Sequence, residues 1–218
     1  MDRELSCVPD DLLLDAEALF SVPGLTKGWS FRAARLGPEW DALAGQLMPE
    51  ELAPSSSRVA KRTREIIAGR ILARVLMVEA GLKATPLPMG ADRAPIWPAG
   101  YTGSITHTDG IVAVALGRRH LGTIGIDIEG FKQLDPAVGE RIRRHDETGN
   151  AISLFVAKEA VFKAQYPQTG EMLSHHEVRI LWTESAFDAE IKGVPYPARG
   201  FMRETSDWIA AVCIVADM

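Results

Sequence analysis

Thr123-Ile-Gly-Ile-Asp-Ile-Glu129 alternates without a break, setting Ile124, Ile126 and Ile128 against Gly125, Asp127 and Glu129. That is the period of a β-strand with one buried face. It predicts Asp127 and Glu129 on a common face, roughly 7 Å apart along the strand. Like charges so placed repel, which makes a shared cation their natural partner, and Gly125 is expected to keep that face open. Taken alone, the motif also reads as an edge strand with solvated acids.

A third carboxylate follows downstream. Residues 152–166, Ile-Ser-Leu-Phe-Val-Ala-Lys-Glu-Ala-Val-Phe-Lys-Ala-Gln-Tyr, read as a helix stopped by Pro167. At about 100° per residue, Glu159 and Lys163 point the same way, between Phe155 and Tyr166 on one side and Ile152 and Val156 on the other. Lys158 and Gln165 fall on a narrow arc that reads as solvated. A carboxylate in an apolar stripe is costly unless a cation or donors compensate it. On an exposed face the same residues would be only an i,i+4 ion pair, worth about 0.2–0.5 kcal/mol. Asp127, Glu129 and Glu159 together form a hard-oxygen set suited to Mg²⁺ with open water positions.

With 218 residues, 46% of them hydrophobic, the chain can bury a core as one large domain or two small lobes. Its net charge of −5 argues against a general nucleic-acid binder. Cys7 and Cys213 are too few for a disulfide framework. No signal peptide and no apolar run of spanning length stands out, so a soluble cytoplasmic protein is expected. Residues 58–81 depart from the acidic average. They read as a long helix carrying Arg58, Lys61, Arg62, Arg64, Arg70 and Arg74 against Glu65 and Glu79, a local charge of +4. Ser55, Ser56 and Ser57 are N-cap candidates and Gly81 is a stop. Ile67, Ile71, Val75 and Val78 are expected to bury one side. The basic side would make an anion-binding wall near the metal, with phosphate the obvious anion.

Residues 1–57 read as irregular with short helices, one starting near Pro38. After the basic helix and a Pro/Gly-rich connector come strands at 103–107, 111–116 and 123–129, the first two joined by a turn at Thr108-Asp-Gly110. The helix at 152–166 is followed by strands near 177–182, 186–191 and 208–215. Helix then strands, twice, predicts an α+β fold of two pseudosymmetric lobes, each a helix on a small antiparallel sheet, divided as 1–122 and 123–218. No dinucleotide fingerprint or nucleophile elbow occurs, and His175-His176 reads as loop or surface. His107 ends a strand among small polar residues, where it can donate to a phosphate or serve the structure.

In order, Arg62 through Gly69-Arg70 with Ala73 and Leu76, Pro95-Ile-Trp97-Pro98, Gly103-Ser-Ile-Thr-His107, Gly125-Ile-Asp-Ile-Glu129 and Phe155-Val-Ala-Lys-Glu-Ala-Val-Phe-Lys163 with Tyr166-Pro167 resemble the 4′-phosphopantetheinyl transferases of siderophore and nonribosomal peptide synthesis. The resemblance spans roughly residues 58–170. It implies two lobes with coenzyme A between them, and transfer of phosphopantetheine to a serine of an apo acyl, peptidyl or aryl carrier protein with release of adenosine 3′,5′-bisphosphate. It further implies Mg²⁺ on Asp127, Glu129 and Glu159, and coenzyme A phosphates on Arg62, Arg70 and His107 with Thr106. Lys158 and Lys163 would steady the pyrophosphate, and Glu159 or a water would take the serine proton. A monomer without nucleic-acid or membrane partners is expected. Val156 replaces a usual serine, and Met89 stands where relatives often carry a lysine, with Arg93 the candidate substitute. A Mg²⁺-dependent nuclease and an inactive carrier-binding module are the rival readings.

Overall fold

The computed structural model describes residues 8–52, 60–131 and 134–216. Two antiparallel sheets lie face to face, with one long helix on each outer side. The first sheet is ordered β1 (Leu13–Leu14), β2 (Trp29–Arg35), β4 (Ile111–Arg118), β3 (Tyr101–Thr108). The second runs β5 (Thr123–Gly130), β9 (Trp208–Val215), β8 (Val194–Glu204), β7 (Ala186–Ile191), β6 (Val178–Thr183). Helix α2 (Ala60–Glu79) covers the first sheet and α4 (Ala151–Thr169) the second, with α1 (Ala16–Phe20) and α3 (Pro136–Ile142) as short additions. The chain thus adopts the two-lobed α+β fold expected from its sequence.

Side-chain alternation builds these layers. On β4, Val112, Val114 and Leu116 pack with Ile67, Ile71, Leu72 and Leu76 of α2. On β9, Ile209, Ala211, Cys213 and Val215 pack with Leu154, Ala157, Val161 and Ala164 of α4. The opposite faces meet one another: Phe31, Ala33, Ala113 and Ala115 share a cluster with Ile124, Ile126, Ile128, Ala210 and Val212. β4 and β9 are therefore buried on two sides, and the lobes hold each other through an apolar sheet-on-sheet core.

Several elements differ from expectation. β2 lies in a stretch that reads as irregular, yet Phe31, Ala33 and Ala34 are fully buried at the middle of the first sheet. β8 escapes a sequence reading because Pro195 and Pro197 argue against a strand. They are tolerated because both precede Ala198, where pairing with β9 begins, beside a register shift against β7. Pro167 does not stop its helix. It lies in the last turn, and the helix ends at Gly170, whose left-handed φ of 66° lets its N–H reach Tyr166 O at 2.8 Å. Gly81 ends α2 as expected, with φ 78°, whereas the N-cap candidates Ser55, Ser56 and Ser57, Arg58, and Cys7 lie outside the described residues. On α2, Val78 is exposed, and Leu72, Ala73, Leu76 and Met77 take the buried side with Ile67 and Ile71.

Candidate active site

β3 and β5 are edge strands of different sheets, and they run against each other. An edge strand carries unpaired backbone groups that need covering. Here the Ile126 N–H donates to Ser104 Oγ at 3.1 Å, and Lys163 Nζ donates to Ile126 O at 3.2 Å. Further along the seam, Thr106 Oγ1 donates to Asp127 Oδ1 at 2.9 Å and Thr108 Oγ1 to Glu129 Oε2 at 2.7 Å. Asp127 and Glu129 do share the face that the alternation predicts.

That face is closed rather than open. Helix α4 lies directly on it: a Cβ on Gly125 would stand 1.9 Å from Ala160 O and 2.5 Å from Ala164 N. Gly125 is there so that the helix can approach, not to leave room for a ligand. The close approach brings Lys163 across to the strand. Its Nζ sits 2.6 Å from Asp127 Oδ1, so it pairs with Asp127 and not with Glu159 as the wheel implies. Asp127 is 6% exposed, and its Oδ2 is buried without a hydrogen-bond partner. Burial holds this carboxyl above its ordinary range, against the lowering effect of Lys163 and Thr106, and the charge of Glu159 adds to the rise. One oxygen of Asp127 is thus satisfied by Thr106 and Lys163, while the other stays buried without a donor.

Glu159 stands on the half-exposed side of α4, with Ile152, Phe155, Phe162 and Tyr166. Its Oε1 is 3.2 Å from Nε2 of His175, whose ring lies 5.8 Å from that of Phe155. The histidine read as surface loop thus touches the candidate catalytic acid. Glu159, Phe162, Met172, Leu173, His175 and Val178 line a cavity of about 220 Å³. A larger depression of about 620 Å³, around Asn150, Trp182 and Arg203, contains none of the sequence-predicted residues.

Lys158 reverses its expected placement: it is 2% exposed. Its three donors are taken by Glu147 Oε2 at 2.6 Å, Ile142 O at 2.8 Å and His175 O at 2.9 Å. None remains for a phosphate. Gln165, read as solvated with it, is fully buried.

The basic side chains of α2 disperse instead of forming a wall. Arg62 NH1 lies 2.9 Å from His107 Nε2 and 3.1 Å from Glu65 Oε2, and Glu65 Oε1 is 3.5 Å from His107 Nδ1. This cluster sits on the opposite face of β3 from Thr106 and Thr108. Burial holds His107 below its ordinary value, more than Glu65 raises it. Arg70 is 8% exposed, and its Nε is buried without a hydrogen-bond partner. Arg64 pairs with Asp41, Lys61 with Asp109, and Arg74, 1% exposed, with Glu51. Met89 and Arg93 belong to a turn whose Asp92 acts on Tyr166 of α4; Arg93 is exposed at its tip with φ 69°.

Among the described residues, no three His, Cys, Asp or Glu side chains converge on a single point as a ready-made metal cage. The structure brings together Asp127, Lys163, Thr106 and Glu159 in one group and Arg62, His107 and Glu65 in another. No described helix is long and apolar enough to cross a membrane.

Residues 49–117 match the 4′-phosphopantetheinyl transferase N-terminal domain. The chain is 33% identical over 199 residues to the 4′-phosphopantetheinyl transferase Svp of Streptomyces mobaraensis, covering 84% of this chain and 80% of that protein. It is 32% identical over 145 residues to the 4′-phosphopantetheinyl transferase PptT of Mycobacterium tuberculosis, covering 61% and 64%. With enterobactin synthase component D of Escherichia coli K12 the identity is 36% over 140 residues, covering 57% and 64%. For the last two, the matched span is slightly under two thirds of the relative's length.

Proposed function

Because this chain belongs to the 4′-phosphopantetheinyl transferases, we propose that it moves phosphopantetheine from coenzyme A to a serine of an apo acyl, peptidyl or aryl carrier protein with Mg²⁺, releasing adenosine 3′,5′-bisphosphate. The similarity to enterobactin synthase component D favours carriers of siderophore or nonribosomal peptide synthesis. The serine oxygen forms a bond to the phosphorus nearest the pantetheine arm. The bridging P–O bond breaks, and its electrons leave on the nucleotide.

The observation that carries this reading is the pair formed by the orphaned Asp127 Oδ2 and the nearby Glu159 charge. Mg²⁺ is usually held by one or two carboxylates and completes its shell with water and substrate phosphate oxygens. A full protein cage is not its habit, so Asp127 with Glu159 fits it as the carboxylate donors, and Glu129, two residues along the same strand face, is the further candidate. When bound, Mg²⁺ supplies charge that offsets the pyrophosphate.

The chain's own groups do the rest. Lys163, 27% exposed beside Asp127, presents its ammonium to the leaving oxygen. Glu159 accepts the serine proton, directly or through water. Arg62 and His107, with Arg70 behind them, hold the 3′-phosphate through charge-assisted hydrogen bonds. The apolar cavity beside Glu159 takes the pantetheine arm. Lys158 has no part in the chemistry and serves the fold.

Chromatography of a mixture of protein, coenzyme A, Mg²⁺ and an apo carrier domain tests the stoichiometry. One adenosine 3′,5′-bisphosphate is expected per carrier converted, and none when a chelator replaces Mg²⁺. Undiminished product in chelator would overturn the metal assignment.

A further inference from the structure

Ser104, Thr106 and Thr108 follow one another at every second residue of β3, so their hydroxyls point to one side. Each meets β5: Ser104 takes the Ile126 N–H, Thr106 donates to Asp127 and Thr108 donates to Glu129. We infer that Thr106 and Thr108 are positioning residues, which turn the two strand carboxylates to present chosen oxygens to the cation. The inference rests on the metal reading above.

The geometry at Asp127 shows how this works. Oδ1 receives Thr106 at 2.9 Å and Lys163 at 2.6 Å. Two donors on one oxygen fix the rotation of a carboxylate whose terminal torsion is otherwise broad. They leave Oδ2 buried and without a hydrogen-bond partner, aimed as the oxygen for a hard cation. Thr106 therefore commits its hydroxyl proton to the acid rather than to coenzyme A, as the resemblance implies. Thr108, 7% exposed, does for Glu129 what Thr106 does for Asp127, holding Oε2 at 2.7 Å. A glutamate has one more rotatable bond than an aspartate, so it gains more from a fixed partner.

The donors and the acids lie on different sheets. The hydroxyls belong to β3 of the first sheet and the acids to β5 of the second. The orientation therefore exists only where the lobes meet, and a site in either lobe alone would lack it. Hydrogen bonds to metal-ligating carboxylates of this kind typically matter by about 10–100-fold in metal affinity or activity.

Binding of Mn²⁺ to the full chain without coenzyme A, followed by the resonance of the free ion, tests the inference apart from turnover. Thr108→Val keeps the branched shape and removes the hydroxyl; Thr108→Ser keeps the hydroxyl. Valine is expected to weaken Mn²⁺ binding by about 10–100-fold and serine to bind as the parent does. In transfer assays valine should lower kcat with KM for coenzyme A unchanged. Equal binding by parent and valine variant overturns the role, and so does a serine variant as weak as valine. Should the valine variant not fold, Thr108→Ala is compared with Thr108→Ser, and equal affinities overturn it. A parent protein that binds no Mn²⁺ at all would instead bring down the metal reading on which the role rests.

Discussion

Lys158 and Lys163 lie five residues apart on one helix, and their surroundings give them opposite duties. Lys158 is sealed among Glu147 and two carbonyls, while Lys163 keeps a quarter of its side chain open beside Asp127. Lys158→Met would leave the Glu147 carboxylate buried with only backbone N–H partners from Arg144 and Ile180. Breaking a buried pair in this way costs about 3–5 kcal/mol. Denaturant titration should show that loss, with the surviving folded fraction fully active. Lys163→Met should act mainly on the chemistry. It costs some stability, because Asp127 then keeps only Thr106 as a donor, but kcat of the folded protein should fall by about 10²–10³, the usual effect of losing one donor to a developing anion. A kcat equal to the parent's would remove Lys163 from the chemistry.

His107 gives a second prediction at this scale. Burial lowers its affinity for a proton below the ordinary 6.5, while Glu65, Arg62, Lys163 and Asp127 are the charges acting on it. The unfolded chain binds the proton more readily. This residue's contribution to stability is therefore complete above pH 6.5 and is lost as pH falls from 6.5 through the folded value. A bound 3′-phosphate favours the imidazolium and reverses the shift. Coenzyme A binding near neutral pH should then take up protons, seen as a dependence of calorimetric heat on buffer ionisation. His107→Gln should abolish that uptake, and dephospho-coenzyme A should show little of it. Identical uptake by the variant would show that His107 does not face the phosphate.

At the scale of elements, α4 shows what the sequence could convey and what it could not. Apart from Lys158, Glu159, Lys163 and Gln165, the positions from Ile152 to Tyr166 are apolar or small, so hydrophobicity alone does not say which side is buried. The stripe through Phe155, Glu159 and Phe162 looks like the core side because its residues are large, yet it is the half-exposed one. The deciding feature is close packing: Ala157, Ala160 and Ala164 line the side that meets Gly125. Small residues at three- and four-residue spacing opposite a strand glycine were a legible signal of that contact. The strand read at 123–129 was legible as a strand with Asp127 and Glu129 on one face, but its alternation did not reveal that α4 buries that face as well. β8 and β2 were not legible, since their proline-bearing or mixed sequences become strands only through partners distant in the chain.

The same contact yields a prediction. In Gly125→Ala the new methyl has only backbone in front of it, at Ala160 O and Ala164 N, so α4 must shift bodily. Overpacking of this kind costs about 1–3 kcal/mol and at times more. The shift should separate Lys163 and Glu159 from Asp127, so activity should fall further than the folded fraction does. Loss of activity only in proportion to unfolding would mean that the helix position is not critical.

Each long helix is also held by a buried cation whose partner lies in the segment just before it. Arg74 of α2 meets Glu51, which also accepts the Met48 and Leu87 N–H groups. Lys158 of α4 meets Glu147, which also accepts the Arg144 and Ile180 N–H groups. The two lobes solve the same anchoring problem with different residues, a likeness that no sequence repeat displays.

For the whole molecule, the decisive feature is that the acids come from one sheet and the hydroxyls that orient them from the other, with an apolar core behind both. Neither half holds the arrangement by itself. Arg62 and Glu65 of α2 meet His107 on one face of β3, while Thr106 and Thr108 on its other face meet the acids of β5. The most direct test is intact-mass measurement of an apo carrier domain after incubation with this protein, coenzyme A and Mg²⁺, beside the same mixture containing Asp127→Ala. The parent should add the mass of one phosphopantetheine to the carrier, and the folded variant should add none at any Mg²⁺ concentration. A carrier left unmodified by the parent, or modified equally by the variant, would contradict the account.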